Sequence, residues 1–376
     1  MVAARVKLLV LWLGLFPVAS TILAQETNLP AALTLTNAAQ IRNLPTSQSK
    51  QALHVKLTGL VLTQSDPHDR ALILIEETGG IYVRSVQPIL GRYNRGDVIE
   101  VEGVTDPGQF APIVIVSNAR KLKTVPVPQP RPVTYHQLIT GAMDAQWVEL
   151  TGVVRRIVAT ETNSTTWRIQ VASDGGVVSI RGPGPLGAKV QEDAVVRLQA
   201  ICFYQFNQKR QVLTPVLQMP AGATLQVIKP APENPFESAV RPANSLLQFT
   251  PDTPIGHRVH VRGVVTHAQS GQFVWIRDVS SGLRIQARQQ ESLQAGDEID
   301  ALGFPAYGAG LPTLEDAVFK KTGSGKSPTP IVVTDAAATF EHEDDLIQIE
   351  ARLTEIHSVF KRRRSISHNN WCRRLA

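Results

Sequence analysis

The stretch Val55-Lys-Leu-Thr-Gly-Leu-Val61 is repeated along the chain with little change. It returns as Val148-Glu-Leu-Thr-Gly-Val-Val154 and as Val259-His-Val-Arg-Gly-Val-Val265, and Ile347-Gln-Ile-Glu-Ala-Arg-Leu353 is a weaker fourth copy. Successive copies lie 93, 111 and 88 residues apart, which is the size of a domain rather than of a solenoid repeat. Each copy alternates apolar and polar residues, so the pattern predicts a half-buried strand at the start of each repeat.

A glycine lies at the centre of the first three copies, at Gly59, Gly152 and Gly263. Glycine weakens the interior of a strand unless the strand must bend sharply or form a bulge. We therefore predict a strongly coiled first strand in each repeat, with a structural role for these three glycines.

Four more strands follow this one within a repeat. In the first repeat, Ala71–Glu77 and Ile81–Arg84 flank a glycine-containing turn and predict a hairpin, and Gly96–Gly103 and Pro112–Val116 predict two later strands. Five short strands with a coiled first strand favour an all-β fold of tandem five-stranded Greek-key barrels of the oligonucleotide/oligosaccharide-binding (OB) type, joined by proline-rich linkers. A run of generic β-sandwiches is the alternative.

Proline-rich joints and the repeat boundaries divide the chain into six segments. The segments are a signal peptide at 1–24, OB-like modules at 34–125, 132–229 and 241–326, an incomplete fourth module at 331–360, and a basic irregular tail at 361–376.

The two ends of the chain differ from the modules in character. Arg5 and Lys7 precede the apolar run Leu8–Phe16, a pattern typical of a secretory signal cleaved after Ala24. We expect an exported protein, periplasmic or extracellular, that contacts a membrane only if this segment stays uncleaved. After Phe360 the apolar alternation stops, which indicates a reading frame lost near that residue, with a genuine basic tail as the alternative.

The formal charge of +6 comes from the C-terminal tail. Residues 361–376 contain six Lys and Arg residues and no carboxylate, so residues 1–360 sum to zero. A protein that tracks phosphates needs a positive excess in its modules. On this ground we expect nucleic acid to be an unlikely partner and a small ligand or a protein to be the partner, and the oligomeric state stays open.

The sequence contains no pattern that predicts catalysis or a cofactor. Cys202 and Cys372 are the two cysteines, and neither forms a zinc-binding or disulfide pattern. A nucleophile elbow and a phosphate-binding loop are also absent from the sequence. A small-barrel nuclease would need clustered carboxylates with a basic partner. We therefore predict a non-catalytic protein without a cofactor or a metal site.

The outer faces of the hairpins hold the candidate ligand-binding residues. In an OB barrel the second and third strands usually receive the ligand. The first hairpin is expected to turn Leu72 and Leu74 outward with Tyr82 and Arg84, and to place Ile73 and Ile75 in the core.

The third hairpin offers Trp275 and Arg284, and the loop after the fourth strand offers Phe110. An aromatic ring beside an arginine could stack on a sugar or base and hold an anion. The competing interpretation is that these side chains pack one module against the next.

Several motifs together resemble a known sensor region. They are Glu76-Glu-Thr-Gly-Gly-Ile-Tyr-Val83, the Gly96–Pro112 segment, Gly141–Val154 and His257–Val265. Residues 34–360 resemble the tandem OB-like extracytoplasmic modules of large bacterial sensor histidine kinases, of the acidobacterial and verrucomicrobial type. The resemblance implies a ligand- or partner-sensing ectodomain of a two-component system.

In that family a membrane helix and a cytoplasmic kinase follow the modules, and this sequence contains neither the phosphoacceptor helix nor the ATP-binding glycine boxes. The resemblance therefore does not extend to kinase activity. The alternative function is a stand-alone secreted OB-fold binder of single-stranded nucleic acid or oligosaccharide.

Overall fold

Three five-stranded barrels follow one another along the chain, with the start of a fourth unit behind them. The computed structural model describes residues 34–63, 70–158, 165–248, 256–308, 311–335 and 337–352. The predicted signal peptide, the basic tail and residues 353–360 lie outside these ranges. The prediction of an all-β fold of tandem OB-like barrels is confirmed.

The first barrel closes in the strand order β1-β2-β3-β5-β4, because β4 pairs back to β1. All neighbouring strands are antiparallel except β3 and β5, which run parallel. Its strands are β1 (His54–Val61), β2 (Ala71–Glu76), β3 (Gly79–Ser85), β4 (Asp97–Asp106) and β5 (Ile113–Thr124).

The second barrel has the same strand order and two added edge strands. Its strands are β6 (Arg131–Pro132), β7 (Trp147–Val158), β8 (Thr166–Ser173), β9 (Gly176–Pro183), β10 (Val195–Phe206), β11 (Val212–Gln218) and β12 (Leu225–Lys229). The pairing of β10 with β7 closes the barrel, while β6 and β12 lie outside the five-strand ring.

The third barrel repeats the order of the first, and the fourth unit contributes two short strands. The third barrel contains β13 (Val259–Gln269), β14 (Phe273–Arg277), β15 (Gly282–Ala287), β16 (Asp297–Gly308) and β17 (Leu311–Ser324). In the fourth unit β18 (Ile331–Val333) runs parallel to β19 (Ile347–Ile349). The predicted fourth-unit strand is therefore shorter than residues 347–353, and it has a partner that the sequence did not suggest.

Short helices or 3-10 turns precede the barrels, and two of the helices begin at a capping residue. The helices are α1 (Ala38–Arg42), α2 (Thr46–Ser49) and α3 (Tyr135–Leu138), with 3-10 turns at Pro235–Glu237, Ala243–Ser245 and Ala337–His342. Asn37 and Thr134 each form a capping box with a glutamine three residues later. No helix within the described ranges is long and apolar enough to cross a membrane.

The central glycines lie where β1 and its counterparts change partners. Leu60, directly after Gly59, pairs with both Val98 on β4 and Ile75 on β2. A Cβ atom at Gly152 would lie 2.2 Å from a backbone oxygen of β8. None of the three glycines has a positive φ, so the constraint on them is the close approach of the next strand, which is tightest at Gly152, rather than an unusual dihedral angle.

The predicted orientation of β2 is wrong. Leu72 and Leu74 lie in the core of the first barrel, while Ile73 and Ile75 face outward. Residues 71–75 are all apolar, so alternation could not distinguish the two faces. Both faces are apolar because the outer one is also covered, by the second barrel.

Candidate functional site

The hairpins of the first and third barrels are covered by the next unit through the same backbone contact. The carbonyl oxygen of Ala145 points at Gly80, where a Cβ atom would lie only 1.9 Å from it. The carbonyl oxygen of Asp344, in the fourth unit, approaches Gly282 of the third barrel in the same way. It would lie 2.3 Å from a Cβ atom placed at Gly282. Ala145 and Asp344 share a left-handed backbone with a φ of 60°. Glycine in the hairpin is therefore a requirement of this docking.

Polar groups fix the joint between the first and second barrels around Gly80. The Gly80 amide donates to Gln146 Oε1 at 3.2 Å, and Gln146 Nε2 donates to the Gly80 carbonyl at 3.3 Å. Arg42 Nη1 donates to the same carbonyl at 3.0 Å. Burial raises the pKa of Asp144 beside this contact to about 6, although the positive charge of Arg42 acts in the opposite direction.

Two of the predicted ligand residues belong to this joint. Tyr82 packs against an apolar cluster formed by both barrels, which includes Ile73 and Trp147. Phe110 packs on the second barrel, with its ring centroid 5.3 Å from Tyr204 and 5.6 Å from Phe206. Tyr82 and Phe110 therefore pack the first barrel against the second. This is the role that the competing interpretation, packing of one module against the next, gives them.

Trp275, the predicted aromatic of the third hairpin, contacts the fourth unit. Its indole Nε1 donates to Asp344 Oδ1 at 3.1 Å. Next to it Arg277 forms an ion pair with Asp345, a side chain that is almost fully buried. The fourth unit thus covers the part of the third barrel where the sequence predicted a ligand.

The two predicted arginines lie in different barrels and different surroundings. Arg284 Nη2 donates to the Gly308 carbonyl at 2.9 Å and to Thr313 Oγ1 at 3.2 Å, and its guanidinium lies 5.5 Å from the Phe273 ring. Arg84 is exposed on β3. The structure does not bring the five predicted residues into one site.

The hairpin of the second barrel lacks the glycine that the other two need. Val177 pairs with Ala172 at the position where Gly80 and Gly282 lie in their hairpins. Its side chain is 40% exposed, and no described atom lies within 4 Å of a Cβ placed at Gly175 in the turn. A Cβ at Gly176 would meet the ring of Tyr135, which belongs to the same barrel's own α3 and not to the next unit. A valine side chain fills the space that the incoming carbonyl would take. The β8–β9 hairpin therefore cannot accept the next unit in this way.

The third barrel accordingly contacts another surface of the second. Arg155 Nη2 lies 3.2 Å from carboxylate oxygens of Glu315 and Asp316. Its guanidinium also lies 4.3 Å from the ring centroid of Phe304. These contacts involve β7 of the second barrel with β16 and β17 of the third, and they leave the outer face of β8 and β9 open.

Two further ionic contacts complete this joint. Arg258 forms an ion pair with Glu192, and His257 Nδ1 lies 2.8 Å from Asp193 Oδ1. Both carboxylates directly precede β10 and lie against β7, where the Asp193 amide donates to the Val154 carbonyl and Glu192 Oε1 accepts from the Ile157 amide.

The open face of the second barrel, which we call the β8–β9 face, is polar and positively charged. Register places two rows of outward side chains across β7, β8, β9 and β11. The rows are Arg156, Gln170, Ser179 and Val216, and then Val158, Arg168, Arg181 and Gln218.

The arginines of the β8–β9 face are not neutralised within the described part of the chain. Arg181 Nη2 donates to Gln218 Oε1 at 2.8 Å, and none of Arg156, Arg168 and Arg181 forms an ion pair with a described residue. Arg168 lies directly opposite Arg181, at a spacing of about 5 Å that makes like charges unfavourable. A bound anion would relieve this repulsion.

Sequence reasoning missed this face because it searched for aromatic residues. Arg168 and Arg181 alternate with the buried Ile169 and Ile180, and this alternation was a usable signal. No three His, Cys, Asp or Glu side chains in the described ranges could together hold a metal ion.

Comparison with known proteins finds similar solved structures but no similar family or curated sequence. No family model and no curated protein matches the chain. A murine DNA-binding protein bound to double-stranded DNA is 13% identical, with a TM-score of 0.27, and the match covers 47% of this chain and 97% of that one. A replication protein A heterotrimer bound to single-stranded DNA is 11% identical, with a TM-score of 0.26, 74% of this chain covered and 95% of the other.

The expectation that nucleic acid is an unlikely partner is wrong. The solved chains similar to this one include proteins bound to double-stranded and to single-stranded DNA. The physical error was to use a net charge summed over residues 1–360, because a sum of zero conceals a local cluster of arginines such as the β8–β9 face.

Proposed function

We propose that this chain is a non-catalytic binding protein that takes an anionic ligand on the β8–β9 face of its second barrel. The proposal depends on the presence of valine at position 177. Its side chain prevents the kind of docking that covers the hairpins of the first and third barrels. The exposed Arg168 and Arg181 supply positive charge on the strands that usually hold the ligand of an OB barrel. Gln170 and Ser179 add hydrogen-bonding groups in the neighbouring row.

The fold is compatible with two chemical classes of ligand, single-stranded nucleic acid and oligosaccharide. A fluorescein-labelled oligothymidylate and a labelled linear oligogalacturonate test both with residues 25–360. We expect one of them to bind and the double variant Arg168→Gln/Arg181→Gln to weaken it about tenfold or more. Arg197→Gln is the matched control, because Arg197 is an exposed arginine of the same barrel outside this face.

Salt dependence separates the ligand classes further. Three arginine contacts to a single-stranded nucleic acid predict a slope of about −2 for log Kobs against log salt, which the double variant should flatten. If neither probe binds, or if the double variant binds as the wild type does, the proposal is wrong.

We further propose that the array is exported and acts as the sensing region of a two-component system. The resemblance of residues 34–360 to the extracytoplasmic modules of sensor histidine kinases supports this role, and Arg5, Lys7 and Leu8–Phe16 support export. N-terminal sequencing of the mature protein from a bacterial host should begin near Gln25. Full-length protein retained in the cytoplasm would contradict export.

A further inference from the structure

The joint between the first and second barrels leaves an open cleft beside the Gly80 contact. The cleft has a volume of about 820 Å³, within the usual range for small-molecule sites. Both barrels contribute to its walls, from α1 and the β4–β5 loop on one side and from the β6–β7 segment on the other. This cleft is distinct from the β8–β9 face, with which it shares no residue.

Among the described residues, the charged groups on the walls of the cleft are arginines. Arg42, Arg131 and Arg210 line it, and no described Asp or Glu does. Arg42 Nη2 donates to the Ala142 carbonyl at 3.0 Å, and Arg210 Nη2 donates to the Phe110 carbonyl at 2.9 Å. Carbonyl groups satisfy these hydrogen bonds, and neither arginine forms an ion pair with a described carboxylate, although Asp144 attracts Arg42 through space.

Arg131 provides a free cationic group at the cleft. Its side chain is exposed and forms no hydrogen bond or ion pair with the described residues. Asp144 interacts with Arg42 through space, but it does not line the cleft and forms no ion pair with a described arginine. The electrostatic potential inside the cleft is therefore positive.

The remaining wall offers flat and apolar surfaces. Phe110, Met143 and Trp147 line the cleft, and the Trp147 indole Nε1 is held by the Pro128 carbonyl at 3.0 Å. The guanidinium of Arg95 lies 4.8 Å from the Trp147 ring centroid, and its Nη1 is buried without a hydrogen-bond partner in the described residues. Arg95 therefore adds a further positive charge at the joint.

We propose that the cleft between the first and second barrels binds a small organic anion with an aromatic ring. The anionic group would lie at Arg131 and Arg42, and the ring would pack on Phe110, Met143 and Trp147. A ligand held by both barrels stabilises their docked arrangement, because it binds that arrangement and not the separated one.

Calorimetric titration of residues 25–360 with three probes tests this proposal. The probes are 2-naphthalenesulfonate, which has a ring and an anion, 2-naphthol, which has the ring alone, and inorganic sulfate, which has the charge alone. We expect one saturable site for the sulfonate and binding about fivefold or more weaker for each of the other two probes. The sulfonate should also raise the melting temperature of the joint.

Arg131→Gln is the variant that isolates the cleft. It should weaken the sulfonate about fivefold or more and leave thermal unfolding without ligand unchanged, because the side chain is exposed and has no partner in the described residues. Arg168→Gln on the β8–β9 face is the matched control and should bind as the wild type does.

Three results would overturn the cleft as the site. These are no saturation at about 5 mM sulfonate, equal binding by Arg131→Gln and wild type, or a loss that appears in Arg168→Gln instead. The first two leave the proposed function of the β8–β9 face untouched, because its test uses other probes and other variants.

Discussion

A valine in place of Gly80 would copy into the first barrel the residue that keeps the second hairpin open. Its Cβ would lie 1.9 Å from the Ala145 carbonyl oxygen, whereas real Cβ contacts below 3.0 Å essentially do not occur. The second barrel must therefore retreat from the hairpin by more than about 1 Å. We predict that Gly80→Val weakens or opens the joint without unfolding either barrel.

The size of the effect follows from the contacts at Gly80. Gln146 exchanges two hydrogen bonds with the Gly80 backbone, and Arg42 of the first barrel donates a third across the joint, to the Ala142 carbonyl of the second. A retreat of this size breaks all three, and each contributes about 0.5–1.5 kcal/mol. We expect the free energy of unfolding of the docked pair to fall by about 3 kcal/mol, with a larger loss if Trp147 also becomes exposed.

Urea unfolding followed by tryptophan fluorescence measures this loss, and native-state hydrogen exchange at residues 145–147 reports the joint itself. Val177→Gly is the matched control, since it makes the reverse change in a hairpin without a docked neighbour. It should cost no more than about 1 kcal/mol, the usual penalty of glycine in a strand. If Gly80→Val unfolds within about 0.5 kcal/mol of wild type and exchange at 145–147 is unchanged, the docking argument fails.

Other perturbations have equally definite outcomes. Gly152→Ala should destabilise the second barrel by about 2 kcal/mol or more, since its Cβ would lie 2.2 Å from a backbone oxygen, whereas Gly59→Ala should cost under about 1 kcal/mol; equal melting curves would contradict this order. Asp144 has a folded pKa of about 6 and an unfolded value near 3.8, so its contribution to stability is lost as pH rises from about 4 to about 6; urea titrations should show that Asp144→Asn removes this loss, and an unchanged pH profile would refute it. Deleting residues 331–376 should lower the stability of the third barrel by about 1–2 kcal/mol and shift the fluorescence of Trp275, which loses a hydrogen-bond acceptor; an unshifted spectrum would show that the fourth unit does not cover it.

The barrel fold could be predicted because it depends on local signals that the chain repeats. Alternating residues around Gly59, Gly152 and Gly263 indicate a coiled first strand, and the turns that follow indicate hairpins. The orientation of β2 could not be predicted, because residues 71–75 are apolar on both faces. The second barrel determines which of those faces is outside.

The candidate site was harder to predict, because its position depends on which hairpin stays uncovered. Tyr82 and Trp275 are the side chains that a ligand site would be expected to use, yet each lies under a neighbouring unit. Coverage depends on contacts between residues far apart in sequence, such as Gly80 with Ala145. A local signal existed in the valine at position 177, but its meaning requires the structure of the joints.

Two unfavourable features, the glycine in the strand at position 80 and the Arg168–Arg181 pair, have a common explanation in the docking of the hairpins. Glycine at position 80 weakens its strand but allows the second barrel to dock on the hairpin. Valine at position 177 is a better strand residue but prevents such docking. The second barrel then opposes Arg168 to Arg181, a pairing that is unfavourable without an anion between the two guanidiniums. A repulsive pair on a covered face would weaken the joint, and on the open face it favours any anion that binds there. The residue at this hairpin position therefore separates the hairpin that stays open, with Val177, from the two hairpins that a following unit covers, with Gly80 and Gly282.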